Sequence, residues 1–279
     1  MSELKNIVDA VTIADAIILL KNLISTPSFS KEENKTADIL EQFLQDRNIK
    51  SNRYLNNVWA TNKYFDPAKI TVENDALGGT SSRTYFENAN LFPRVLGKLQ
   101  PGDYVIMQFG HNDNTRPPES DTLRYRSTIS GNGEETVEGP KSATEKETIH
   151  TYGWYIRQMI DETKAKGATP IVCSLIPRNG WRDGKINRAD QSYGLWAKQA
   201  ADQEHAAFLP LNTLIADKYD QAGQEKVTAT YFPAKETTHT NWAGAKLNAE
   251  CVVEGIKQLD LPLKNDLLPT PPEIKDPGK

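Results

Sequence analysis

The chain has 279 residues, 38% hydrophobic and 25% charged, which is ordinary globular composition and excludes collagen-like, coiled-coil and largely disordered classes. Its 33 basic and 37 acidic residues give a formal net charge of −4, without the basic surplus that a nucleic-acid or anionic-membrane partner requires. The length suits one large α/β domain or two small ones, and no apolar run approaches the ~20 residues of a membrane span.

In chain order, the N-terminal stretch carries Glu3, Asp9 and Asp15 ahead of its apolar burst. A secretory signal has a basic start instead, so the chain as written is expected in the cytoplasm. Ile13, Ile17, Leu20, Leu23 and Ile24 recur at helical spacing, and Ser30 to Glu33 has capping-box form ahead of a second stripe at Ala37, Leu40, Phe43 and Leu44. Helices are therefore expected over 13–48, broken at Thr26-Pro27-Ser28, followed by an irregular strand or hairpin at 50–63.

From residue 69 the pattern becomes strand-then-helix. Expected are a strand at 70–72, a helix at 84–99 and a near-continuous apolar strand at 103–109, of the kind buried on both faces of a parallel sheet. A polar stretch from His111 to about Lys146 is too long for an idle connector and reads as a functional insertion. Then come helix 147–166, strand 169–176, helix 188–204, strand 206–211, helix 212–223 and helix 242–258, with a proline-rich strap after Leu259. This alternation implies right-handed crossovers and a doubly wound α/β sheet. Cys173 and Cys251 each sit in an apolar segment without CxxC spacing and read as buried thiols.

Ligands of an open parallel sheet bind at the carboxyl ends of its strands, and three polar clusters fall there. The first, Asn74 to Arg83, contains Gly78-Gly79, which frees backbone N–H groups to face an anion or simply makes a turn. The second, Phe109-Gly110-His111-Asn112-Asp113-Asn114, offers an Asn112 amide to a developing oxyanion, or caps a strand end. The third, Glu236-Thr237-Thr238-His239-Thr240-Asn241, has the form of a histidine base oriented by a carboxylate. With 37 acidic residues among 279, a carboxylate three positions before a histidine is also common by chance. His150 and His205 read as surface-facing helical residues. No HExxH, HxH, GxGxxG or GxxxxGK[ST] is present, so neither a metal nor a nucleotide cofactor is expected.

Taken together, residues ~70–258 resemble the SGNH (GDSL-like) hydrolases, and among them the rhamnogalacturonan acetylesterases. The resemblance lies in VENDALGGTSSRTYF (72–86), GDYVIMQFGHNDN (102–114) and YFPAKETTHTNWAGAKLNAE (231–250). It implies a three-layer α/β/α, flavodoxin-like sandwich and a serine esterase that needs no cofactor. It places the oxyanion donors at Gly79 and Asn112, the base at His239 and its orienting carboxylate at Glu236. Glutamate stands where the family has aspartate, and it can still accept the imidazole N–H. Arg178 and Trp181, after the 169–176 strand, are candidates to bind the carbohydrate. The implied partner is an acetylated pectic polysaccharide, and a monomer is expected. Family members are often secreted.

The family's Gly-Asp-Ser nucleophile block, at the end of the first strand, has no counterpart here. Ser28, Ser30, Ser81 and Ser82 are the serines considered in its place. Residues ~13–69 instead resemble the start of acetylornithine deacetylase-like zinc metallopeptidases, in LLKNLISTPSFSKEENKTADILEQFL (19–44) and NNVWATNKYFDPAK (56–69). That family's His-x-Asp ligands would follow later, so no metal ligand carries over. The expected organisation is a helical segment over 1–69, an SGNH-like domain over 70–262 and a proline-rich tail over 263–279. The missing strand would lie between 70–72 and 103–109, replaced by 16–20, by 54–62, or by direct pairing of its neighbours. An esterase, a catalytically inactive esterase-like chimera joined near Tyr64 to Lys69 or a carbohydrate-binding relic and, from residues 13–69 alone, a zinc peptidase are the readings carried forward.

Overall fold

A computed structural model describes residues 62–114, 116–271 and 273, with isolated positions between 18 and 46. The chain divides into two compact units, Met1–Arg53 and Tyr54–Pro277. In the first, the described positions Ile18, Lys21, Ile39, Gln42 and Phe43 are helical. The remainder of the expected N-terminal helices, Ser28 and Ser30, and all of the two candidate replacement strands except Ile18 and Asn62 lie outside the described residues.

The second unit runs through α1 (Ser82–Glu87), α2 (Phe92–Leu96), β1 (Tyr104–Gln108), β2 (Thr136–Pro140), β3 (Lys146–His150) and α3 (Tyr152–Ala165). It continues through β4 (Thr169–Cys173), β5 (Trp181–Arg182), β6 (Lys185–Ile186), α4 (Tyr193–Gln203), β7 (Ala207–Leu209), α5 (Leu211–Ala222), α6 (Gln224–Tyr231) and α7 (Trp242–Gln258). β1, β4 and β7 form a parallel sheet in that order, with Ile106 opposite Ile171 and Cys173 opposite Leu209.

The period-two alternation of these strands builds the layers. Ile171, Cys173 and Leu209 enter one core with Ile215 and Tyr219 of α5, Val227 of α6 and Ile256 of α7. Met107 and Val172 enter the other, against Ile156 and Ile160 of α3 and Ala197 and Ala201 of α4. The result is the expected three-layer α/β/α sandwich. α7 begins where the Asn241 side chain accepts the Gly244 N–H at 3.1 Å, and its buried Ala245, Ala249, Val252 and Ile256 return every three to four residues. α3 begins likewise at Thr151, which accepts from Trp154 N at 3.1 Å.

Several expectations are corrected. Residues 70–72 form no strand; Ile70 and Val72 pack against the first core through their side chains, without a ladder partner among the described residues. Direct pairing of 70–72 with β1 is therefore not found. The expected 84–99 helix is two short ones, because the backbone turns at Asn88–Asn90 and Pro93 restarts it. Residues 146–150 are a strand, antiparallel to β2, and the helix starts only at Tyr152. His150 consequently lies at a strand end, stacked on Trp154 with ring centroids 3.7 Å apart, and His205 follows α4 at φ 47. Hairpin β5–β6 and helix α6 had no separate signal in the sequence.

β1 also departs from burial on both faces. Tyr104 packs on the first core and Val105 and Met107 on the second, so Ile106 points to the Tyr104 side, where it is 41% exposed. Among the described residues β1 pairs on one side only.

Two features close the unit elsewhere. Phe65 is buried and bridges Leu267, Asp66 N donates to Asp266 O at 2.8 Å, and Leu268 N donates to Tyr64 O at 2.8 Å. The strap after Leu259 thus reaches residues 64–66. Arg83, fully buried on α1, bolts the insertion down: its Nε donates to Glu147 at 2.7 Å, Nη1 to Ser127 O at 3.0 Å and Nη2 to Pro140 O at 2.8 Å. Burial and the Glu147 charge push the neighbouring Glu87 carboxyl up to about 7.

The exposure of Ile106 sets a measurable contrast. Ile106→Thr is expected within about 1 kcal/mol of the parent, because little apolar area is lost and a β-branched residue is kept. Ile171→Ala, at the opposed and fully buried position, is expected to cost about 2–5 kcal/mol. Urea unfolding of both variants checks this, and equal losses would contradict the one-sided burial of β1.

Candidate active site

Four loops at the carboxyl ends of the strands and ahead of α1 and α7 carry the polar clusters. In the first, Ala76 N donates to Asn74 Oδ1 at 3.2 Å, and Thr80 Oγ1 to Leu77 O at 2.8 Å. Ser81 and Thr84 then close a capping box that starts α1. Gly79, two residues before Ser81, has φ +84, a conformation that favours glycine.

The second loop follows β1. Gly110 has φ +127, and a Cβ there would stand 3.1 Å from both Leu175 Cδ1 and Tyr193 Cβ, so only glycine fits. Asp113, completely buried, accepts from Gly110 N at 3.0 Å, Ser82 N at 3.0 Å and the Ser82 hydroxyl. Burial pushes its carboxyl up to about 6, although the Ser82 and Gly110 bonds oppose that rise. Asn112 Nδ2 donates to Thr80 O at 2.9 Å. An amide nitrogen has two hydrogens, so one donor remains for a ligand. Gly79 and Asn112, singled out separately in the sequence, are thus brought together.

The third loop, after β4, carries Arg178. Its Nη2 donates to His111 O at 3.0 Å and its Nε to His111 Nδ1 at 3.3 Å. Accepting at Nδ1 makes His111 the Nε2–H tautomer. Burial, then the Arg178 guanidinium and the His239 imidazole, push His111 down to about 4, against the Ile176 carbonyl, so it is neutral at pH 7. Trp181 donates its indole N–H to Asn179 Oδ1 at 2.8 Å and packs on the first core.

The fourth loop precedes α7. Glu236 Oε1 accepts the N–H groups of Thr237 at 2.8 Å, Thr238 at 2.7 Å and His239 at 3.2 Å. Its other oxygen lies 3.2 Å from His239 Nδ1. The Thr238 N–H, the His239 ring and the His239 N–H hold this carboxylate down at about 2, so it is ionised whenever the imidazole works. With Nδ1 turned to Glu236, Nε2 is the basic nitrogen, on a side chain 69% exposed. Asn179 N donates to Thr237 O at 2.7 Å, joining this loop to the Arg178 loop.

The serines behave differently. Ser81 and Ser82 are both fully buried, with the Ser81 hydroxyl in the capping box and that of Ser82 on Asp113. His111, Asp113 and Arg126 belong to this neighbourhood although none was singled out from the sequence. The first two stand inside the quoted Gly-His-Asn-Asp run. Arg126, which donates to Gly79 O at 2.8 Å, is 47 residues from its partner, and no local pattern announces it. No group of three or more His, Cys, Asp or Glu among the described residues could hold a metal ion.

Glu236 thus orients the His239 imidazole, and Asn112 meets the carbonyl of the residue that follows Gly79. The model of the GDSL-like lipase/acylhydrolase family matches residues 32–247, a span that begins within the segment resembling metallopeptidases. The probable rhamnogalacturonan acetylesterase YesY of Bacillus subtilis is 30% identical over 206 residues, 72% of this chain and 83% of that protein. A rhamnogalacturonan acetylesterase of Emericella nidulans is 28% identical over 191 residues, 68% of this chain and 75% of that protein. The crystal structure of Bacillus subtilis YxiM superposes with a TM-score of 0.59 at 23% identity, over 75% of this chain and 51% of its own.

Asp113 and His111 lie two residues apart and respond oppositely to pH. Folding raises the Asp113 carboxyl, so the native state binds its proton more tightly and the charge costs stability above about pH 6. Folding lowers His111, so its neutral form contributes stability above about pH 6.5 that is lost as pH falls towards 4. The stability gap between parent and Asp113→Asn is therefore expected to narrow from pH 4 to 7, and that to His111→Gln to widen, each by about 1–3 kcal/mol. Chemical unfolding at pH 4, 5.5 and 7 measures both, and gaps that move in parallel would refute the assignment.

Proposed function

The chain belongs to the GDSL-like lipase/acylhydrolase family, and from that premise we propose that it is a carbohydrate esterase that removes acetyl groups from pectic polysaccharide of the rhamnogalacturonan type. The observations that carry the reading are the Glu236–His239 pair and the Asn112 amide on the Thr80 carbonyl, next to Gly79. A hydroxyl nucleophile attacks the acetyl carbonyl carbon while His239 Nε2 takes its proton, and Glu236 stabilises the imidazolium. The Gly79 N–H and the second Asn112 N–H receive the oxyanion. Collapse expels the sugar alkoxide, which takes the proton from His239, and water then hydrolyses the acyl-enzyme by the same route.

The distribution of arginines supports an acidic polysaccharide. Among the described residues, Arg83, Arg94, Arg157 and Arg188 all stand in ion pairs, on helices or the sides of the unit. Arg116 and Arg124, after β1, and Arg178 and Arg182, after β4, have no ion pair among the described residues. Cationic side chains left without carboxylates at the ligand-binding end of a sheet suit a substrate that brings its own. Arg178, beside His111, is the first candidate. Trp181 reads as packing, because its N–H is satisfied within the fold.

A second reading, an inactive carbohydrate-binding relic, is favoured by one observation: the hydroxyls of Ser81 and Ser82 are buried and bonded away from solvent. One experiment separates the two. The full chain is treated with a fluorophosphonate probe, and intact mass and labelled peptide are read, with His239→Ala as control. The esterase reading expects a single adduct on one serine, reduced at least about 10³-fold in rate in the control. A folded protein that takes no label and releases no acetate, yet melts higher with acetylated polysaccharide, supports the relic.

A further inference from the structure

Among the described residues nothing packs on the turn at Gly79: the glycine is exposed, and the one atom found near the position of an added Cβ is Arg126 Nη1, at 4.0 Å. A residue at φ +84 in open space keeps its conformation only if hydrogen bonds fix the peptides beside it. Two consecutive carbonyls are so fixed, that of Gly79 by Arg126 Nη1 at 2.8 Å and that of Thr80 by Asn112 Nδ2 at 2.9 Å.

Arg126 is itself placed by a built device. The fully buried Asp121 carboxylate accepts from Arg124 N at 3.2 Å, Arg126 N at 3.0 Å, Ser127 N at 3.0 Å and Ser127 Oγ at 2.9 Å. Wrapping one carboxylate with four donors curls residues 121–127 into a closed turn, with Tyr125 at φ 53. Ser127 O in turn takes Arg83 Nη1 at 3.0 Å, so the curl is anchored to α1, the helix that Gly79 leads into. Arg126 Nε is shielded from solvent and has no hydrogen-bond partner among the described residues, so the Gly79 carbonyl is the polar contact that the side chain makes with the site.

We propose that Arg126 is a positioning residue for the reaction: by pinning the Gly79 carbonyl it removes the ψ freedom of Gly79 and keeps the Gly79 N–H aimed beside Asn112. The catalytic half of this statement rests on the esterase reading; the structural half does not. Asp121 acts one step behind, by presenting Arg126. The 111–146 insertion thereby supplies a support of the oxyanion site from a loop far away in sequence.

The test uses the full chain as parent, Arg126→Gln and Arg126→Lys. Amide hydrogen exchange is followed at Thr80 and Ser81, whose N–H groups are bonded to Leu77 O and Thr84 Oγ1. Acetate release from acetylated polysaccharide gives kcat and KM. Expected for Arg126→Gln are exchange at these amides faster by about tenfold, an unchanged melting temperature, and kcat down about tenfold with KM within about twofold. Lysine, which keeps a charged donor, should restore most of both. Unchanged exchange in Arg126→Gln would overturn the proposal, as would a rise in KM alone, which would make Arg126 a substrate contact. If the parent releases no acetate, the esterase reading fails, and the exchange measurement still decides whether Arg126 holds the turn.

Discussion

Asp113 is where the end of β1, the start of α1 and the loop between them become one rigid object. Its carboxylate accepts from Gly110 on one side and from both the amide and the hydroxyl of Ser82 on the other, with no access to water. A buried carboxylate is costly unless its oxygens are satisfied, so the geometry of all three donors is enforced together. Because Asn112 is the preceding residue, fixing Asp113 also fixes the approach of the Asn112 amide to Thr80. The loop after β1 is thus held from underneath by a group that is itself shut off from solvent.

Among the described residues three parallel strands support two helical layers; β4 is buried along nearly its whole length, whereas β1 leaves Ile106 partly in water. The loops of the candidate site are cross-linked among themselves by hydrogen bonds, Asn112 to Thr80, Arg178 to His111 and Asn179 to Thr237, and joined to the core through Gly110 and Trp181. A polar cluster cross-linked in this way keeps its shape through directional bonds where apolar packing is thin.

Much of this was legible from residue order alone, for reasons that vary with the element. β4 and α7 announce themselves because apolar period and length agree, with Asn241 marking the helix start. The α/β/α layering followed from alternation, whereas the expectation that His239, Glu236, Gly79 and Asn112 share one site came from the resemblance of three short runs. The break at Asn88–Asn90 was hidden because Phe86, Phe92 and Leu96 keep an apolar pattern across it. β3 was absorbed into the α3 prediction because Thr148, Ile149 and His150 lead into Tyr152 without a glycine or proline, and its identity comes from pairing with β2 rather than from its own residues. Arg126 and Asp121 were invisible for a related reason: their partners lie on backbone atoms, which any residue carries.

The insertion between β1 and α3 changes meaning once its attachments are traced. As sequence it reads as a polar excursion that a ligand might meet. In the fold it is anchored at its root by Asp113, in its middle by Arg83 reaching Ser127, Pro140 and Glu147, and along its first curl by Asp121. A segment tied at three depths cannot swing as a lid without breaking buried charge-assisted bonds, each far more costly to open than a solvent-exposed contact. Its function must therefore be exercised in place. It presents Arg116 and Arg124 without ion-pair partners among the described residues and holds Gly79 through Arg126, so charge display and loop geometry arise from one rigid piece. Residue changes there are coupled by construction: whatever alters the curl around Asp121 moves the guanidinium on Gly79 and the neighbouring cations together.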